Sequence, residues 1–156
     1  MVGFFKLLAE HHKKNRARAK DFELFKACMA GAALAAMAYG EFARREDAAL
    51  KKLIKTVDEL KLYGATHTRE LFMEFVEKMQ DDPEQGQENA LEAVAAAKDD
   101  PAWAATAIML AATITESDGN VDDAEVEVIE RIGELLGIDP ATVKSLDIDF
   151  KDEIFK

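Results

Sequence analysis

The residues best suited to chemistry form an acidic turn at positions 117–125, which reads Ser-Asp-Gly-Asn-Val-Asp-Asp-Ala-Glu. Its spacing matches the second half of a calcium-binding EF-hand loop, with Asp118, Asp122 and Glu125 at the fifth, ninth and twelfth positions. Ile114 stands where the first liganding aspartate of such a loop belongs, so this turn alone does not provide a complete set of oxygen ligands. A metal ion bound here therefore needs ligands from a second segment.

That second segment emerges when the sequence is shifted by the distance from Gly40 to Gly119. An Ala-rich helical pattern, a Gly turn and an amphipathic helical pattern then superpose on a second copy of the same series. The coinciding pairs are Ala32 with Ala111, Ala33 with Ala112, Gly40 with Gly119, and Glu46 with Glu125. The first copy has Tyr39 and Ala43 in place of the two aspartates, but it keeps the glutamate and adds Glu41.

Two interpretations of the acidic turn remain open at this point. Oxygen ligands without Cys or His favour Ca²⁺ or Mg²⁺ over Zn²⁺, and the candidate metal ligands are Asp118, Asp122, Glu125, Glu116, Glu41 and Glu46. Alternatively, Asp122 and Glu125 have the spacing of a capping box, which needs no ligand. A cap alone does not account for Asp118 and Asp123, because neighbouring carboxylates repel one another unless a cation joins them.

Three further segments keep a recognisable order around this turn: Met-Ala-Tyr-Gly at 37–40, Ala-Ala-Lys-Asp-Asp-Pro at 96–101 and Leu-Gly-Ile-Asp-Pro at 136–140. Together with the acidic turn, they resemble the tellurite-resistance TerB family from about residue 26 to residue 140. The resemblance implies a compact all-helical module of two helical pairs, whose acidic turns face one another as a metal site in a bacterial stress-response system. Tyr39 departs from the family pattern, which usually has Asp there.

The hydrophobic pattern predicts an all-α fold of about seven helices. All three prolines follow Asp, at 82–83, 100–101 and 139–140, and Asp-Pro suits an N-cap followed by the first helical position, so helices should begin near residues 83, 101 and 140. The segments 21–38 and 101–116 are Ala-rich with almost no polar side. They are therefore expected to form a central pair, with the two pseudo-repeated helical pairs built around it.

The remaining helices should be half-buried around this pair. Apolar stripes predict amphipathic helices at 46–62, after Gly64, at 83–97 and at 125–136, the last ending at Gly137. Gly64 suits a helix stop, with Thr66 or Thr68 as the next cap. We divide the chain into a basic N-terminal arm or helix at 1–20, a helical domain similar to TerB at 21–144, and a C-terminal tail at 145–156.

Charge and composition exclude several classes of function. The 156-residue chain has a formal net charge of −11, with +5 in residues 1–20 and −16 in the remainder. Such an acidic body repels nucleic acids and oxyanions, including tellurite itself. The single cysteine, Cys28, is expected to be a buried, inert thiol, and no apolar run approaches the length of a membrane span. We therefore expect a cytoplasmic protein, whose basic arm either contacts the anionic inner membrane peripherally or packs on the domain.

The sequence contains no pattern that clearly predicts catalysis. It lacks a Gly-rich phosphate loop, a Glu-x-x-His pair and a Cys pair. The leading hypothesis is a non-enzymatic scaffold, similar to TerB, that recruits other stress-response proteins, among them a membrane protein. The alternative is a small metalloenzyme or hydrolase built on the clustered carboxylates, which would need an open metal position beside a pocket.

Overall fold

The computed structural model describes residues 18–38, 44–56, 63–115 and 123–143. Within these ranges lie the helices α1 (Arg18–Ala36), α2 (Arg44–Thr56), α3 (Ala65–Asp81), α4 (Pro83–Ala95), α5 (Pro101–Thr115) and α6 (Asp123–Leu136). A further helical segment begins at Pro140 and continues to the edge of the described range. The prediction of an all-α fold of about seven helices is confirmed. Most of the arm and all of the tail lie outside the described residues, and the division into arm, domain and tail stays a prediction.

Helices α1 and α5 form the core, and their pairing is the most extensive among the described helices. Their buried alanines are Ala27, Ala30, Ala32, Ala33, Ala35 and Ala36 in α1, and Ala104, Ala105, Ala107, Ala111 and Ala112 in α5. Small side chains let the two backbones come close, and the Cys28 Sγ lies 3.9 Å from the carbonyl oxygen of Trp103. The prediction of an Ala-rich central pair and of a buried cysteine is confirmed.

The three threonine hydroxyls of α5 donate to backbone carbonyls of the same helix. The hydroxyl of Thr106 donates to the carbonyl of Ala102 at 3.0 Å, and that of Thr113 donates to Met109 at 2.8 Å. Thr115 similarly donates to the carbonyl of Ala112 at 2.7 Å. Each of these hydroxyls therefore has an acceptor for its hydrogen within its own helix, which allows α5 to lie inside the domain.

The other helices surround this pair. Helix α3 turns into α4 through Asp82, and both pack on α1, while α2 packs on α3 and α5, and α6 packs on α4 and α5. Of the apolar stripe predicted for α3, Leu71 is half-buried and the other members are buried, namely Phe72, Phe75, Val76 and Met79. Phe22, an apolar residue near the start of α1, is 45% exposed. None of the described helices is both long enough and apolar enough to cross a lipid bilayer.

Each Asp-Pro pair begins a helix, as predicted. The Asp82 Oδ1 accepts from the Gln85 N–H at 3.2 Å, and the Asp100 Oδ1 accepts from the Trp103 N–H at 3.3 Å. The Asp139 Oδ1 accepts from the Thr142 N–H at 2.9 Å. The three aspartates thus satisfy amide groups that a helix N-terminus leaves without an intrahelical acceptor.

The two glycines at helix ends behave differently from one another. Gly137 has φ of 71°, and the N–H groups of Gly137 and Ile138 donate to Glu134 and Gly133, which is the predicted left-handed helix end. Gly64, with φ of 79°, is the N-cap of α3. Residues 57–62 lie outside the described part of the chain, so the predicted helix stop at Gly64 stays a prediction. The Thr68 hydroxyl donates back to the Gly64 carbonyl at 2.8 Å. The expected Thr66 or Thr68 cap was therefore wrong.

Candidate functional site

Of the six predicted metal ligands, Glu125 alone has a side chain within the described part of the structure. Glu41, Glu116, Asp118 and Asp122 lie outside the described residues. The backbone of Glu46 belongs to the first turn of α2, but its side chain is also outside the described set. The six residues as a metal centre therefore stay a prediction.

Glu125 is buried, with 5% of its surface exposed, in the first turn of α6. The helix begins at Asp123, so Glu125 takes the third helical position, where a capping-box glutamate would also stand. A negative charge at a helix N-terminus is stabilised by the helix dipole. Removing a carboxylate from water is costly, however, unless hydrogen bonds or a positive charge offset the lost hydration.

The described helix bounds follow the internal repeat. Arg44 and Asp123, the first residues of α2 and α6, are separated by the same distance as Gly40 and Gly119. Glu46 and Glu125 consequently occupy the third position of equivalent helices. The two glutamates that coincide in the sequence repeat therefore also occupy equivalent positions in their helices.

The helices that lead into the two acidic turns also correspond. Ala36 and Thr115, the last residues of α1 and α5, are separated by the repeat distance as well. Neither helix has a basic residue in its last turn. The partial negative charge at a helix C-terminus attracts a cation. In α1 and α5, no basic side chain of the last turn provides that positive charge.

Within the described residues alone, no group of three or more His, Cys, Asp or Glu side chains is arranged to hold a metal ion. The side chain of Glu125 is among these residues, whereas the side chains of the other five predicted ligands lie outside the described set. Elsewhere in the described chain, Asp139 is an exposed carboxyl with a perturbed acidity. The pKa of Asp139 is lowered from 3.8, first by the hydrogen bond from the Thr142 N–H and then by the bond from the Thr142 hydroxyl.

Sequence reasoning missed a cavity of about 230 Å³ between α2 and α3, which is open to solvent. It is lined by Lys51, Ile54, Lys55, Ala65, Thr66 and Arg69, and we call it the α2–α3 groove. Lys51 and Lys55 are exposed, as the amphipathic pattern of residues 46–62 predicts for its polar side. The sequence does show these lysines close together in an otherwise acidic chain. Only the packing of α3 on α2, however, brings Arg69 and Thr66 beside them.

The chain is similar to a known protein family. The family model described as tellurite resistance protein TerB matches residues 25–148. No curated protein and no solved structure matches the chain. The matched range contains both acidic turns, residues 25–36 of α1, all of α5, and the Asp-Pro helix starts at 82–83, 100–101 and 139–140. Since the match covers most of the sequence, this chain belongs to the TerB family of tellurite resistance proteins.

Proposed function

We propose that this TerB-family protein is a non-enzymatic stress-response module that binds Ca²⁺ or Mg²⁺ at its acidic turns and acts as a scaffold for protein partners. The observation that carries the proposal is the burial of Glu125 at the start of α6, next to the segment that contains Asp118 and Asp122. The proposed ligands are Asp118, Asp122 and Glu125, completed by Glu116, Glu41 and Glu46.

Burial distinguishes Glu125 from two of the three aspartate caps, whereas the third cap, Asp100, is buried as well. The caps formed by Asp82 and Asp139 in this protein are both exposed, and they keep part of their hydration. Glu125 is 5% exposed while several other carboxylates are close in sequence. A hard cation bound by these oxygens would offset the repulsion among the acidic groups.

The equivalence of the two halves supports ligands from both turns. Helices α1 and α5 are paired in the core, and α2 and α6 begin at equivalent positions after them. Glu46 then matches Glu125, and Glu41 adds a further carboxylate to the first turn. Oxygen ligands from two segments are what the incomplete EF-hand spacing requires.

The scaffold part of the proposal rests on family membership and on the charge distribution. The partners would be other stress-response proteins, among them a membrane protein, in the cytoplasm. The basic arm at 1–20 would contribute peripheral contact with an anionic inner membrane. The acidic body, at −16 outside the arm, argues against a nucleic-acid partner.

The test is a Ca²⁺ titration by calorimetry of the full chain, repeated with Mg²⁺, for wild type, Asp118→Ala and Glu125→Gln. We expect saturable binding to wild type and its loss in both variants. Asp123→Asn is the matched control, because Asp123 is an exposed acid in the same helical turn and is not among the proposed ligands. Its binding should match that of wild type.

Thermal unfolding provides a second measurement. Binding that is specific to the folded state should raise the free energy of unfolding by about 2.7 kcal/mol at a cation concentration of about a hundred times Kd. If wild type gives no heat and no change in melting temperature at millimolar cation, the cation part of the proposal is refuted. The acidic turn would then be a helix cap.

A further inference from the structure

We propose that the α2–α3 groove binds an acidic peptide segment of a partner protein, with an apolar side chain against Ile54 and Ala65 and carboxylates against Lys51, Lys55 and Arg69. The inference rests on the scaffold part of the proposed function and names the chemistry of the partner. It does not depend on the cation.

The groove is positively charged although the protein is strongly acidic. Among the described residues that line it, three of six are cationic and none is acidic. Within the described residues, the carboxylate of Asp47 forms ion pairs with two of these cations. Lys51 Nζ lies 3.3 Å from Asp47 Oδ2, and Arg69 Nη2 lies 3.2 Å from Asp47 Oδ1. Within the described part of the chain Lys55 makes no ion pair. Positive charge therefore remains for an incoming carboxylate.

The end of α3 that borders the groove adds to this potential. Ala65 and Thr66 are the first two residues of α3, whose first turn contains no acidic residue. The N-cap, Gly64, provides no side-chain hydrogen bond to the first turn. The partial positive charge of this helix end is therefore not offset by a side chain of its own turn, and it acts together with the three cations.

Size and surroundings favour a short acidic peptide over other anions. The cavity of about 230 Å³ is below the roughly 300–1,000 Å³ of small-molecule pockets, but Ile54 and Ala65 offer it an apolar floor for a single side chain. A nucleic acid would extend beyond the groove onto a body that repels phosphates. A short peptide can place its acidic groups on the rim alone, and such charge complementarity gives specificity to small interfaces.

The experiment measures binding of a fluorescein-labelled peptide, in which leucine is flanked on both sides by glutamates, to the full chain by fluorescence anisotropy. We expect saturable binding that weakens as salt is added. Peptides with lysines in place of the glutamates, or with alanine in place of the leucine, should bind more weakly. Equal binding of the alanine peptide would overturn the apolar contact.

Two variants test the groove without disturbing the core. Lys55→Glu reverses an exposed rim charge, and Thr66→Glu places an acid in the first turn of α3, where it favours the helix. Each should weaken peptide binding by about fivefold, while the urea midpoint of Thr66→Glu stays at or above that of wild type. Lys98→Glu is the matched control, since Lys98 is an exposed cation in the turn after α4, and its affinity should not change.

Three results would overturn the proposal. The first is no peptide binding by wild type, and the second is an equal loss in Lys98→Glu, which would show a response to net charge alone. The third is a dimer in sedimentation that Lys55→Glu dissociates, because the occupant would then be the acidic surface of a second copy. Glu125→Gln separates this proposal from the cation site: it should lose calcium binding and keep peptide binding.

Discussion

Gly86 of α4 and Met79 of α3 bring their backbones closer together than any side chain at position 86 would permit. A β-carbon built on Gly86 would lie 2.6 Å from both the Cα and the backbone nitrogen of Met79. Since α3 passes into α4 through Asp82, this contact fixes how tightly the helical hairpin closes.

Gly86→Ala should therefore destabilise the protein. The atoms that a new methyl group would meet belong to the backbone, so the two helices must move apart, and overpacking of this kind costs about 1–3 kcal/mol. The measurement is the free energy of unfolding in urea, in which the variant should lose about 2 kcal/mol.

Gly31→Ala is the matched control for this prediction. A β-carbon at Gly31 would lie 3.6 Å from the Ala107 carbonyl oxygen and 3.8 Å from the Val94 Cγ2, which is ordinary contact. Alanine is also favoured over glycine inside a helix by about 1 kcal/mol. Gly31→Ala should leave stability unchanged or raise it, and an equal loss in both variants would show that the close approach at Met79 is not the cause.

The two Asp-Pro helix starts that surround α4 should differ in their contribution to stability. Asp100 is buried and caps the core helix α5, whereas Asp82 is exposed and caps α4. We expect Asp100→Ala to lower the free energy of unfolding by about 1–2 kcal/mol and Asp82→Ala to lower it by about 0.5–1 kcal/mol. The loss is larger at Asp100 because a buried amide that loses its acceptor cannot form a replacement hydrogen bond with bulk water. Urea unfolding of both variants checks the order. Equal losses would mean that burial adds nothing to the cap at Asp100.

The cap at Asp139 predicts a dependence of stability on pH. The bonds from Thr142 hold the pKa of Asp139 below its usual 3.8 in the folded protein. A lowered carboxyl pKa stabilises the folded state above the unfolded-state value, and this contribution is lost as pH falls through the folded-state pKa. The difference in urea midpoint between wild type and Asp139→Asn should therefore be present at neutral pH and shrink in acid, below the usual aspartate range.

An NMR titration of the Asp139 carboxyl carbon measures the same effect directly. Its midpoint should lie below 3.8 in wild type. Thr142→Val removes the hydroxyl that donates to Asp139 Oδ2 at 3.0 Å but keeps the backbone donor. The midpoint in this variant should move part of the way back, and an unchanged midpoint would contradict the role of the hydroxyl.

Local chemistry explains which parts of the fold could be predicted from sequence. Asp-Pro marks a helix start because the two residues themselves supply the cap and the preset backbone angle. The end of α6 at Gly137 is likewise local, since the N–H groups of Gly137 and Ile138 donate to the carbonyls of Glu134 and Gly133. The Ala-rich segments predicted the central pair, since a helix without a polar face has to be buried.

The errors arose where a distant segment decides the outcome. Gly64 fits either end of a helix by residue type, and the threonine cap was wrong because Gly64 itself is the N-cap of α3, with the Thr68 hydroxyl donating to its carbonyl. Phe22 shares the periodicity of the α1 core residues, but it lies near the start of the described helix and is 45% exposed. The repeat paired Glu46 with Glu125 from sequence alone. The α2–α3 groove could not be predicted, because Lys55 and Arg69 meet only after α2 has packed on α3.

The alanines that fill the interface of α1 and α5 have a thermodynamic consequence. An alanine side chain has no rotamers, so its burial requires no loss of side-chain conformational entropy, whereas ordering a long side chain costs up to about 2 kcal/mol. Each buried methyl group contributes less apolar area than a leucine would, but it contributes that area without this opposing term. The central pair thus depends on close approach of two backbones, and its folding cost falls mainly on the main chain.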